Sequence, residues 1–219
     1  MTASTGQKLT LVGLNGVGVL LGAWLLFGGL DVLSGGRAPD ADLGRRILIV
    51  ACSFVYFLRI VGTTFVMVKR AVSYAEAIGV GVWIILIHLT MAVLGGLNSG
   101  PIGLVAVIGV VLYVLGSVLN TASEYLRKRW KEHPGNAGHV YTGGLFRYAV
   151  HINYFGDCVL FTGFALVTGS AWALIIPALM VCMFVFYMIP ALDKHLAEHY
   201  GDAFVEYRER TARFVPFVY

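Results

Sequence analysis

The chain has 219 residues, of which 58% are hydrophobic and only 13% charged, with a formal net charge of +4. Soluble domains carry about 25% charged residues, so a water-soluble fold is excluded and the expected class is all-α, a polytopic integral membrane protein. Barrel strands would alternate polar and apolar residues over segments of about ten; the apolar runs here instead approach the length of about 20 residues that a helix needs to cross the hydrocarbon layer.

Apolar runs cover residues 9–33, 46–68, 77–97, 102–121, 150–168 and 172–189, which predicts about six transmembrane helices within a single membrane domain, 1–219. The opening MTASTGQKLT lacks a basic n-region and an AxA-like cleavage site, so the first run is expected to stay as an anchor. Cys52, Cys158 and Cys182 lie inside apolar runs without a CxxC pair or suitably spaced histidines, so neither a disulfide nor a metal site is expected. The basic residues cluster at helix ends. That pattern suits membrane flanks and argues against a nucleic-acid partner.

An N-terminus in the cytoplasm puts Lys69, Arg70, the RKRWK run, Arg147 and the basic C-terminal region on the inside, as the positive-inside rule requires. Both termini are therefore predicted to be cytoplasmic. Beyond residue 189 the chain becomes charged and amphipathic, with Leu192, Leu196, His199, Ala203 and Tyr207 recurring at helical spacing. This predicts an amphipathic C-terminal helix at the cytoplasmic surface. Much of the glycine falls within the apolar runs, where small residues let helices approach closely.

Polar groups inside a membrane are costly and mark sites. In the second run Tyr56, Arg59 and Thr63 share a face at spacings of three and four; a buried arginine there can equally be structural. A lone His88 in the third run reads as a satisfied core histidine. The end of the fourth run carries a stripe of Tyr113, Ser117, Asn120, Glu124 and then Arg127 or Lys128. It could grip a long polar ligand, or simply snorkel to water as a helix end. HINYFGD sets His151, Asn153, Tyr154 and Asp157 within one apolar run, and Asp193 with His195 follows where the last run ends.

From Asn120 onward the sequence resembles the C-terminal half of the membrane sterol reductases and steroid 5-alpha-reductases. The pieces that carry the likeness are NTASE, the basic run after it, PGNAG, GGLFRY, HINYFGD, DKH, HYG and RFVPFVY. The resemblance implies that residues 101–219 bind NADPH in a pocket open to the cytoplasm. It would be lined by Asn120, Glu124, Arg127, Lys128, Arg147, His151, Asn153, Tyr154, Asp157, Asp193, His195 and Arg213. VYFLR resembles the HYFHR stretch of the 5-alpha-reductases, which makes Tyr56 the expected donor to a substrate ketone and Arg59 its supporting charge.

Residues 1–100 would then enclose the substrate, a steroid, isoprenoid or other lipid-like molecule whose C=C bond is reduced. Membrane lipid is the only other partner expected; no obligate protein partner is evident. The pattern departs from the family in four places: the glutamate that partners the tyrosine in the 5-alpha-reductases has no counterpart, Asp31 being the only acid nearby in sequence, Glu124 stands where aspartate is usual, the arginine runs differently after it, and Pro190 and Ala191 occupy the place of an arginine before DKH. The alternative is an S-adenosylmethionine-dependent methyltransferase. The isoprenylcysteine carboxyl methyltransferases share the fold, and GGLFRY with the tyrosine-containing tail resembles them too. They carry an HP pair where His151 is followed by Ile152.

Overall fold

Leu104–Lys131, named α5 here, runs on far past the end of its apolar stretch, so that the polar stripe after Leu119 stays helical down to the basic residues Lys128, Arg129 and Lys131 in its last turn. Cations at a helix C-terminus complement its dipole. The computed structural model describes residues 4–218; Met1–Ala3, the first residues of the opening stretch, and Tyr219, the last of RFVPFVY, lie outside them. Before α5 come α1 (Thr5–Trp24), α2 (Leu30–Ser34), α3 (Leu43–Gly62) and α4 (Tyr74–Gly96). After it come α6 (Ile152–Thr168), α7 (Ile175–Met183), α8 (Ile189–Tyr200) and α9 (Asp202–Glu209).

No strand occurs among the described residues. Five helical stretches are long and apolar enough to cross a membrane: Thr5–Ser34, Leu43–Met67, Tyr74–Gly96, Leu104–Lys131 and Ala171–Tyr200. The fifth apolar run of the sequence is the shorter helix Ile152–Thr168. Large apolar side chains stay exposed along these helices, among them Leu20, Leu104, Trp172 and Phe186. Such surfaces match lipid rather than water, and the protein is a multi-pass integral membrane protein.

The chain forms two compact units. One runs to Val111 and includes Gly163–Leu174. In it α1, α3 and α4 pack on one another, and glycines bring α1 against α4: a Cβ on Gly18 would lie 3.0 Å from His88 Cδ2 and 3.2 Å from Ile85 Cα. That approach buries a polar cluster from three helices. His88 Nε2 lies 3.0 Å from Asn15 Oδ1, and His88 Nδ1 lies 3.1 Å from Ser53 Oγ. With Nε2–H donating to the amide oxygen, Nδ1 is left to accept from the serine hydroxyl. His88 is therefore a satisfied core histidine.

Arg45, just before the apolar run that begins at residue 46, is buried in the same unit. Its Nη2 donates to the carbonyls of Gly100 and Pro101 at 2.9 and 3.0 Å. Gly169, at φ +69°, leaves the space the guanidinium fills. Between α1 and α2 the helix breaks at Phe27 and Gly28, whose φ of 143° suits only glycine.

The other unit comprises Leu112–Thr162 and the chain from Ile175 onward. Here α5 and α6 touch through facing glycines. A Cβ on Gly116 would collide with the Leu160 backbone, and one on Gly156 would lie 2.7 Å from Asn120 N. The helix from Ile175 passes through a π-helical turn, Phe184–Met188, before Pro190 in the first turn of α8. Such turns absorb the geometry that proline forbids an ordinary helix. The tail returns to pair with the start of α6, Val150 and His151 donating to the carbonyls of Ala212 and Arg213 at 2.8 and 3.1 Å.

Candidate functional site

The close glycine contact places the polar stripe of α5 directly opposite the polar end of α6. Asn120 Nδ2 donates to the Asn153 carbonyl and to Asp157 Oδ2, both at 3.0 Å. One turn further, Asn153 Nδ2 donates to Glu124 Oε1 at 2.9 Å, and Arg127 Nη2 holds Glu124 Oε2 at 2.6 Å. Asn120, Glu124, Arg127, Asn153 and Asp157 thus form one hydrogen-bonded network. Ser117, one turn before Asn120, has a buried hydroxyl without a partner among the described residues.

A second cluster surrounds Asp193, which is 4% exposed. His151 Nε2 lies 2.7 Å from its Oδ1, and Arg213 Nε donates to its Oδ2 at 2.9 Å. A carboxylate only accepts, so Nε2 carries the hydrogen. Arg208 adds a third approach, 3.5 Å from Oδ2. Tyr154 stacks between His151 and Phe184, with ring centroids 5.6 and 4.6 Å away and nearly parallel planes. The π-helical turn that begins at Phe184 belongs to this stack.

Arg127, Asn153 and His151 line one cleft, together with Lys131, Tyr200 and Tyr207. Lys131 Nζ donates to Tyr200 OH at 3.1 Å, and Tyr207 OH donates to the Phe146 carbonyl at 2.5 Å. Burial pushes the Tyr207 phenol well above its ordinary range. Three of the expected residues stand outside both clusters. Lys128 pairs with Glu132 at 3.5 Å, His195 is exposed and stacks on His199, and Arg147 is exposed.

Sequence reasoning missed Lys131, Tyr207 and Arg208 as site residues. Lys131 ends the same helix stripe and was within reach of its spacing argument. Tyr207 and Arg208 meet partners far away in sequence, a relation that spacing does not encode.

In the N-terminal unit, Tyr56 is buried on α3 and Arg59 sits one turn on, its Cζ 5.0 Å from the Tyr56 ring centroid. That is a cation–π distance. The edge of His88 meets the same ring, centroids 6.0 Å apart at 69°. The tyrosine ring thus meets a guanidinium and an imidazole, and the imidazole is itself anchored by Asn15 and Ser53.

The cleft is lined by two cations, an amide, an imidazole and phenol rings, and the carboxylates of Glu124 and Asp193 hold Arg127, Asn153 and His151 from behind, a donor set able to bind a charged, ring-bearing cofactor. The chain is 30% identical over 111 residues to 3-oxo-5-alpha-steroid 4-dehydrogenase 1 of Rattus norvegicus, covering 50% of this chain and 40% of that protein. It is 28% identical over 113 residues to 3-oxo-5-alpha-steroid 4-dehydrogenase 2 of Homo sapiens, covering 51% and 42%. A third relative, the probable O-methyltransferase ustE of Ustilaginoidea virens, is 33% identical over 92 residues, covering 40% and 31%. The alignments thus span about two fifths or less of the length of these curated relatives. The steroid 5-alpha-reductase resemblance carried by the motifs recurs in these homologues. The family model described as Protein of unknown function (DUF1295) matches residues 53–211, well over half of the sequence, and the chain belongs to that family.

Proposed function

We propose that this protein is a membrane-embedded, NADPH-dependent reductase of a C=C bond in a steroid, isoprenoid or other lipid-like molecule. The observation that carries the proposal is the coupled network of Asn120, Glu124, Arg127, Asn153 and Asp157 beside the His151–Asp193–Arg213 cluster. The names of the aligned steroid dehydrogenases support it. Residues 101–219 take the cofactor and residues 1–100 the lipid-like substrate. Both termini and the amphipathic segment α8–α9 lie on the cytoplasmic side, in keeping with the basic flanks.

The donor set fits NADPH. Arg127 and Lys131 are the cations for phosphate oxygens, Asn153 presents an amide for ribose or carboxamide groups with Glu124 orienting it, and Tyr154, stacked between His151 and Phe184, fixes the His151 ring that lines the cleft. Lys128, Arg147 and His195 supply further polar groups at the margin. When bound, the cofactor supplies hydride. The chain itself supplies the polarising donor: Tyr56 hydrogen-bonds the carbonyl conjugated to the reacting double bond. Arg59 over its ring stabilises charge that grows on the phenol oxygen.

The test uses NADPH deuterated at C4 with a 3-oxo-4-ene steroid and an isoprenoid enone as probes, analysed by mass spectrometry. One deuterium in the reduced product is expected, together with a loss of about 100-fold or more in rate for Tyr56→Phe. A Tyr56→Phe variant with full activity would overturn the donor assignment. The match to an O-methyltransferase favours a second reading, methyl transfer from S-adenosylmethionine. Methylation of a carboxylate- or hydroxyl-bearing isoprenoid probe when S-adenosylmethionine is supplied, with no deuterium transfer from NADPH to the enones, would establish it instead.

A further inference from the structure

The N-terminal unit holds a second cavity, of about 380 Å³, at the break between α1 and α2. It lies within the size range of small-molecule sites, about 300–1,000 Å³. Leu25, Leu26, Phe27 and Leu30 give it an apolar wall. The segment after α2 closes over it with Ala38, Pro39 and Asp40, and Arg46 from the first turn of α3 supplies its cation. None of the proposed reductase chemistry uses these residues.

The state of Arg46 points to an occupant. Its Nη2 holds Asp40 Oδ1 at 2.7 Å, but the Asp40 side chain is fully exposed, whereas that of Arg46 is 21% exposed. Its Nε is buried and has no hydrogen-bond partner among the described residues. Nε and Nη2 share one edge of the guanidinium, the edge that binds two oxygens of a carboxylate or phosphate side by side. Asp40 occupies half of that edge. An ion pair with an exposed partner contributes little, so a two-oxygen head able to fill the whole edge displaces it readily. Apolar wall and cation together select an anionic head on an apolar tail. Asp31 also lines the cavity, and its carboxylate disfavours a head of more than one negative charge.

We propose that this cavity binds a singly charged anionic amphiphile, its head on the Nε–Nη2 edge of Arg46 and its tail along Leu25, Leu26, Phe27 and Leu30. Free fatty-acid carboxylates and phosphodiester lipids share this chemistry.

The experiment measures binding of oleate, dioleoylphosphatidylglycerol and oleylamine to the full chain in maltoside micelles by native mass spectrometry. Either anionic probe, or both, should bind, with oleylamine about tenfold weaker or worse. Oleate alone identifies a fatty acid, phosphatidylglycerol alone a phospholipid, and both an anionic head in general. Arg46→Gln should weaken binding about tenfold. Asp40→Asn changes only an exposed side chain and should tighten binding severalfold by removing the internal competitor. Absence of binding by both anions, equal binding of oleylamine, or anion binding unchanged in Asp40→Asn would each overturn the proposal.

Discussion

Asn153 on α6 donates to Glu124 on α5 at 2.9 Å while Arg127 grips the other oxygen of the same carboxylate at 2.6 Å. Glu124 is thereby committed on both sides, and its orientation fixes both an amide and a guanidinium in the cleft. Glu124→Gln keeps the shape but loses the charge that holds Arg127, and it turns one acceptor into a donor. Leaving a partly buried polar group unmatched costs about 1–3 kcal/mol. NADPH affinity should fall about tenfold or more, read by titration of the purified variant, with the fold retained by circular dichroism.

The Gly116–Gly156 contact is what sets the spacing of that network. Gly116→Ala places a Cβ against the Leu160 backbone, which has no flexible side chain to yield. Overpacking of this kind costs about 1–3 kcal/mol. The variant should melt at a lower temperature and bind NADPH more weakly, because the helices that carry Asn120 and Asp157 are forced apart. By contrast Gly135→Ala, in open space, should change neither measurement.

Asp193 gathers His151 and Arg213, which belong to a helix start and to the tail. Asp193→Asn leaves Arg213 without its counter-charge and removes one of the two acceptors. Breaking a buried pair costs about 3–5 kcal/mol at the upper end. Thermal unfolding should shift down clearly, and limited proteolysis should release the segment after Glu209 first.

Tyr207 gives a prediction at alkaline pH. Its folded pKa is raised by burial, so the native state keeps the phenol proton after the unfolded chain begins to lose it near pH 10. The stabilisation is therefore fully present below about pH 10 and is lost progressively as pH rises toward the folded value. Chemical denaturation followed between pH 8 and 11 should show a falling stability in the wild type and a shallower fall in Tyr207→Phe. That variant should also be less stable at neutral pH by about 1 kcal/mol, because the Phe146 carbonyl loses its donor.

How much of this was legible depended on the range of the interaction. Apolar length predicted helices over residues 9–33, 46–68, 77–97 and 102–121, and the observed helices contain nearly all of these runs. The stripe from Ser117 to Arg127 was legible because a helix repeats every three to four residues. The break at Phe27 and Gly28 was hidden, since glycine within an apolar run is common and only the backbone angle distinguishes a break from a packing contact.

Arg45 and Arg46 illustrate the same limit. Adjacent in sequence at the edge of one apolar run, they face differently: Arg45 turns inward to carbonyls while Arg46 meets an exposed aspartate. Facing is decided by the helical phase and by Gly169, far along the chain. The convergence of His151, Asp193, Arg208 and Arg213 was likewise beyond spacing alone; only the family-like motifs named three of the four.

The most direct test of the central claim is calorimetric titration of the detergent-purified full chain with NADPH and with S-adenosylmethionine, side by side and repeated on Asn153→Ala. Saturable NADPH binding that weakens in the variant, with no heat from S-adenosylmethionine, is the expected result. Saturable S-adenosylmethionine binding with none for NADPH would contradict the reductase assignment.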